Sequence, residues 1–253
     1  MLDTYCMSGH SKWSTIKRKK GALDAKKGAE FTKLARLIEV AAKTGGDPNM
    51  NFRLKLAVQK ARSANMPMAN IDKAIRKGAG LDKDKSTIEE IMYEGLGPAN
   101  VAVMIHSLTD NKNRTVSDLR NLFTKAGGSL GNSGAVAWQF VNKGILVVPK
   151  GDPDLELKAI EAGADDIQDQ GDVWEIYTQP TQLNQVKQAL ISAGVDITED
   201  KLALVPTTLV KITDTGTAQK VIQFMEALED NEDVSEVFSN FDIDENILAQ
   251  LEG

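Results

Sequence analysis

Apolar residues recur at three- and four-residue steps over the first third of the chain and fall into short strand-length runs after it. Phe31, Leu34, Ala35, Ile38, Ala41 and Ala42 give one apolar face to a helix predicted from about Asp24 to Lys43, stopped by Thr44-Gly-Gly46. Asp47-Pro48 reads as a cap followed by proline at the first helical position, opening a second helix to about Ala64. Its face is Met50, Leu54, Ala57, Val58 and Ala61. The residue before a proline avoids the α region, so Asn65-Met-Pro67 breaks this helix. Asn70 then caps a short third helix through Ile71, Ala74 and Ile75, ended by Gly78.

From residue 86 the period changes. Tyr93 to Asn100 reads as turn chemistry between strands, and Val101–Leu108 as a buried strand. Thr115-Val-Ser-Asp118 resembles a capping box opening a helix through Leu119, Leu122 and Phe123. Gly127 to Gly134 is read as a hinge. Residues 135–206 then run strand (Val136–Phe140), strand (Ile145–Pro149), helix (Leu155–Ala162), strands (Asp165–Thr178), helix (Leu183–Ala193) and strand (Leu202–Val205). A last strand–helix–strand unit covers Leu209–Ile212, Ala218–Leu228 and Val234–Phe238. The expected fold class is α+β multidomain: an N-terminal basic arm plus three-helix domain, then two ferredoxin-like α+β domains, one inserted in the other. The expected boundaries are 7–85 for the arm and helices, 86–134 plus 207–248 for one α+β domain, and 135–206 for the inserted one.

Charge turns this outline into a functional expectation. Residues 1–85 hold 19 Lys and Arg against 8 Asp and Glu, a net of +11, while residues 86–253 carry a net of −17. A basic block of this density is the footprint of a polyanion-binding module, most often for nucleic acid. The arm Lys12-Trp-Ser-Thr-Ile-Lys-Arg-Lys-Lys20 adds an indole that can stack on a base among cations that neutralise phosphate. The candidate nucleic-acid contacts are therefore His10, Ser11, Lys12, Trp13, Lys17, Arg18, Lys19, Lys20, Lys26, Lys27, Lys33 and Arg36. Further cations, Lys55, Lys60, Arg62, Lys73, Arg76 and Lys77, extend the surface onto the second and third helices. Asn65, Met66, Pro67 and Arg114 are candidate partner contacts.

Other chemistry is not legible. Cys6 is the lone cysteine, and His10 and His106 are the only histidines, too few for a Cys- or His-based metal site. The glycine-rich segments fit neither the phosphate-binding loop nor the dinucleotide fingerprint. An EF-hand frame set on Asp166 puts Tyr177 where the bidentate Glu belongs, so Asp165, Asp166, Asp169 and Asp172 read as a solvated acidic face. No nucleophile–base pair stands out, and a non-enzymatic protein without cofactor, metal or small-molecule substrate is expected. No apolar run has membrane-spanning length and no signal-peptide pattern opens the chain, so a cytoplasmic location is expected, with Met7 an alternative start.

Several motifs together resemble the YebC/PmpR family. They are Ser8-Gly-His-Ser-Lys-Trp13 with Ile16 and Lys17, Asn65-Met-Pro67 with Ile71 and Ala74-Ile75, Tyr93-Glu-Gly-Leu-Gly-Pro98, Thr109-Asp-Asn-Lys-Asn-Arg-Thr115 and Gly127-Gly-Ser-Leu130. The resemblance runs from Met7 to about Phe241 and implies the same three domains, with the third inserted in the second. It implies a regulator of gene expression: a DNA-binding transcriptional regulator, or a ribosome- and RNA-associated factor that helps translation through proline-rich stretches. It also directs attention to Gly9–Trp13 and to the turn at 65–67. No helix-turn-helix spacing is present, so a basic arm gripping RNA or backbone phosphate is as consistent as sequence-specific DNA reading. A scaffold whose basic domain holds an acidic protein is a third reading.

Overall fold

The computed structural model describes residues 27–82 and 88–252. Three helices open it: α1 (Lys27–Ala42), α2 (Phe52–Ser63) and α3 (Met68–Gly78). Their apolar faces meet in one core built on Leu34, Ile38, Leu54, Ala61, Met66 and Ile71. The cap of α2 is Asn51 rather than Asp47. Its side-chain oxygen accepts from the Leu54 amide at 3.1 Å while its amide donates to the Ala41 and Gly45 carbonyls at 2.8 Å each. One side chain thus closes α1 and opens α2, whereas Asp47 only turns the chain by accepting from the Asn49 amide.

Asn65 stands at φ 60° just past α2, with the Met66 amide bonding the Ala61 carbonyl and the Asn65 amide the Arg62 carbonyl. This is a Schellman ending, and it drives Met66 into the core. Pro67, not Asn70, occupies the cap position of α3.

An antiparallel sheet follows, in the order β3-β1-β2-β9, from β1 (Glu89–Leu96), β2 (Ala102–Thr109), β3 (Ser129–Leu130) and β9 (Val234–Ser239). Between β3 and β9 the chain departs to build a second sheet, β5-β6-β4-β7, from β4 (Phe140–Pro149), β5 (Asp166–Asp169), β6 (Val173–Thr178) and β7 (Glu199–Pro206). It returns through β8 (Val210–Ile212), which pairs in parallel with β10 (Phe241–Ile243). The second sheet, with α5 (Leu155–Ala162) and α6 (Leu183–Ser192), has the ferredoxin-like wind. The first uses like parts, with α4 (Lys112–Lys125) and α7 (Thr215–Asp230), but places its β1–β2 hairpin at the centre.

The layers follow from alternation along the strands. Val103 and Ile105 of β2 point to Leu119, Phe123 and Phe224 on α4 and α7. Ala102 and Met104 point the other way, onto Phe140, Ile145, Val147 and Tyr177 of the second sheet. Leu146, Val148 and Ile176 leave that sheet's far face for α5 and α6. Leu108, near the end of β2, packs instead against Val40 of α1, so the helical module rests on the first sheet. A C-terminal helix α8 (Glu245–Glu252) completes the first core through Ile247.

Four sequence expectations change here. Tyr93–Leu96 is strand, not turn: Gly95 lies in the ladder opposite Val103, and glycine is required there because a Cβ would sit 2.5 Å from the Phe123 ring. Residues 136–139 are not strand but enter a 3-10 turn at Ala137–Gln139, because the Glu94 carboxylate takes the Val136 and Ala137 amides at 2.9 and 3.0 Å. The Gly127–Gly134 segment is pinned rather than hinged, by the β1–β3 pairing and by the Gly131 amide on the Glu94 carbonyl. Finally, α4 starts at Lys112 under an Asn111 cap, so Thr115 lies inside the helix and buried.

Candidate nucleic-acid interface

Cations on α1 and α2 meet acids on the first sheet, and this decides which of them face solvent. Asp233, just before β9, is 3% exposed. Arg36 of α1 reaches it at 2.8 Å and also donates to the Glu232 carbonyl at 2.6 Å. Arg114 of α4 binds the same carboxylate at 2.9 and 3.0 Å and Asp110 at 2.9 Å, while the Thr115 hydroxyl closes on it at 2.8 Å. Burial acts to raise the Asp233 pKa, but Thr115, Arg114 and Arg36 outweigh it and hold the group below the ordinary aspartate range.

Around this node Lys33 donates to the Glu229 carbonyl and Lys43 to the Ile88 carbonyl. Arg53 pairs with Glu90, and Lys60 with Glu236 at 3.3 Å. Glu90 also meets His106 at 2.7 Å; burial raises its pKa, but Arg53 and His106 together bring it below the glutamate norm.

The sequence-predicted contacts therefore separate. His10, Ser11, Lys12, Trp13, Lys17, Arg18, Lys19, Lys20 and Lys26 lie outside the described residues, and Lys27 opens α1. Arg36 is engaged by buried Asp233 and holds α1 on the first sheet. Lys33 likewise donates into the body. Arg114 is half-exposed but committed to two aspartates. Met66 is buried, whereas Asn65 and Pro67 beside it are exposed.

Two of the basic positions on α2 turn away from the body. Arg53 and Lys60, seven residues apart, share the face toward the sheet; Lys55 and Arg62, also seven apart, share another. Lys55 and Arg62, with Lys73 of α3, are exposed and form no ion pair among the described residues. Phe52, 54% exposed, and Gln59 complete the Lys55–Arg62 stripe. Sequence reasoning passed over Phe52 and Gln59; the signal that could have found them is their step from Lys55 and Arg62 on the helical wheel.

The surface of the second α+β unit is unlike this. A hollow of about 530 Å³ between α5 and β5 is lined by Glu156, Asp165, Asp166 and Asp169, which repel phosphate. Asp165 and Asp169 are held by Lys143 and Lys150 at 2.6 Å each. Among the described residues no three His, Cys, Asp or Glu side chains converge to hold a metal ion, and no helix is long and apolar enough to cross a membrane.

Comparison with known proteins places the chain. Residues 11–81 match the model for the TACO1/YebC protein N-terminal domain, and residues 88–241 the model for the TACO1/YebC second and third domain. A protein of Rubrobacter xylanophilus named a probable transcriptional regulatory protein is 50% identical over 98% of this chain and its own full length. A Sulfurihydrogenibium protein of the same description is 47% identical over 98% of the chain and all of its own. The crystal structure of a conserved hypothetical protein from Aquifex aeolicus, 46% identical, superposes with a TM-score of 0.80 over 88% of this chain and 93% of that one. The motifs, the arrangement of helices and sheets and these full-length matches agree: the chain belongs to the TACO1/YebC family.

Proposed function

We infer that this protein is a non-enzymatic, cytoplasmic regulator of gene expression that binds nucleic acid through its basic arm and helical module. In the three-domain division at 85, 134 and 206, the module grips the polyanion and the two α+β domains orient it. The observation that carries the reading is the split of positive charge on α2, with Arg53 and Lys60 neutralised by the body and Lys55 and Arg62 left for an external anion. Relatives named probable transcriptional regulatory proteins support DNA as the target. A second reading, an RNA- and ribosome-associated translation factor, is favoured by exposed Phe52, a ring of the kind on which unpaired bases stack.

The test is crosslinking in cells followed by sequencing, which returns promoter DNA, ribosomal RNA or neither. In vitro, replacing Lys17, Arg18, Lys19 and Lys20 by Gln is expected to weaken oligonucleotide binding and flatten its salt dependence by roughly three units of slope, about 0.7–0.9 for each phosphate no longer neutralised. An unchanged slope sinks the role of the arm.

A further inference from the structure

Helix α2 presents three faces, and the fold uses two of them. Leu54, Ala57, Val58 and Ala61 are buried in the core of the helical module. Arg53 and Lys60 pair with Glu90 and Glu236 of the first sheet. The third face carries Phe52, Lys55, Gln59 and Arg62, all exposed and within about 80° of one another on the helical wheel.

Two features set this third face apart from an ordinary solvated one. The chain holds no Asp or Glu between Pro48 and Ile71, so no neighbour in sequence neutralises Lys55 and Arg62. Lys158 of α5 and Lys187 of α6, by contrast, each lie 2.7 Å from an aspartate, Asp152 and Asp200. The other feature is Phe52, more than half exposed at the first position of α2. Its place is fixed by the adjoining Asn51 side chain, which accepts from the Leu54 amide and donates to the Ala41 and Gly45 carbonyls. An aromatic ring on an anchored helix end, with one cation a turn away and another nearly three turns away, combines the parts of a stacking platform.

We propose that this face of α2 is a track for single-stranded nucleic acid. One base stacks on Phe52, Lys55 and Arg62 meet phosphates, and Gln59 between them offers its amide to a base edge. The helical rise puts Arg62 about 10 Å beyond Lys55, close to three steps of a stacked strand at about 3.4 Å each. This rests on the nucleic-acid reading and deepens it by naming the substrate. A single strand exposes the faces of its bases, whereas Phe52 would have to unstack a duplex to reach one. Single strands of RNA and of DNA share this chemistry.

The experiment measures binding of the full-length protein to one sequence in three forms, single-stranded RNA, single-stranded DNA and duplex DNA, over a range of salt. The wild type should bind at least one of the single strands more tightly than the duplex, and the tighter of the two identifies the source. Phe52→Leu keeps an apolar side chain but removes the ring. It should weaken single-strand binding about tenfold and leave the salt slope and the duplex affinity unchanged, because stacking releases no counterions. Phe52→Trp, which keeps an aromatic face, should retain the wild-type affinity. Lys55→Gln with Arg62→Gln should instead lower the single-strand salt slope by about 1.4, or about 0.7 for each phosphate.

Four results overturn the track. One is a wild type that binds the duplex as tightly as either single strand. Another is Phe52→Leu that leaves single-strand binding intact, or that weakens duplex binding equally, which would make the ring a wedge or a structural element. The third is a loss in Phe52→Trp as large as that in Phe52→Leu, and the fourth is an unchanged slope in the Lys55 and Arg62 double variant. Each leaves the broader reading standing while the wild type still binds in a salt-dependent way. Failure of the wild type to bind any of the three forms ends that broader reading.

Discussion

Asp233 and Glu94 are single residues that tie distant parts of the chain together as buried anions. Asp233 joins α1, α4 and β9, and Glu94 joins β1 to the Gly134, Val136 and Ala137 amides at 2.8, 2.9 and 3.0 Å. In both, burial alone would raise the pKa; the ion pairs and hydroxyl at Asp233, and the backbone amides at Glu94, reverse that and lower it. A carboxyl whose folded pKa lies below its unfolded one contributes stability above the unfolded value and loses it as pH falls through the folded value. Stability should therefore be level near neutrality and decline below about pH 4, where free carboxyls begin to protonate. Asp233→Asn should cost about 3 kcal/mol at pH 7, because it removes the buried negative charge and one of the two acceptor oxygens that serve Arg36, Arg114 and Thr115. In urea titrations across pH, the gap between variant and wild type should narrow in acid; a constant gap would refute the assignment.

At the scale of elements, glycines and caps show why local rules reached only part of the answer. Gly95 and Gly97 look like turn punctuation, yet both allow aromatic rings to lie on the backbone: a Cβ would meet Phe123 at 2.5 Å and Phe224 at 2.7 Å. Those rings pack edge to face at 4.9 Å, so Gly95→Ala should destabilise the first sheet by roughly 1–3 kcal/mol, the cost of overpacking. Asn65 is the converse case. Its left-handed φ of 60° is what a Schellman ending requires, so Asn65→Gly should be nearly neutral and Asn65→Val should cost about 1–2 kcal/mol. Thermal midpoints of the three variants check both statements. The capping-box reading at Thr115 erred for a related reason: the hydroxyl that resembled a cap is used by Asp233, more than a hundred residues away.

Across the whole molecule, the charge contrast between the two parts of the chain does two jobs. Arg36, Arg53 and Lys60 use it internally, holding the helical module on the first sheet, while Lys55 and Arg62 keep it for an external partner. Arg53→Glu with Lys60→Glu should loosen docking, seen as faster amide exchange in α2 and β2. Lys55→Glu with Arg62→Glu should leave that exchange unchanged and lower the salt slope of oligonucleotide binding by about 1.4–1.8. If the first pair reduces binding and the second does not, the assignment of faces is reversed.

The sequence by itself determined the three amphipathic helices, the succession of strands and helices that made an inserted α+β unit legible, and the basic character of the N-terminal part. Those properties reside in local periodicity and composition, which need no knowledge of distant neighbours. Tertiary structure alone decided which cations are available, because a lysine or arginine reads the same whether it meets an aspartate across the fold or solvent. It also decided that Asn51 rather than Asp47 caps α2, and that Gly95, Gly97, Gly128 and Gly131 serve close packing and not hinging. Each depends on groups brought together from positions far apart in the chain, and pairwise distance, unlike hydrophobic period, is not written in any one segment.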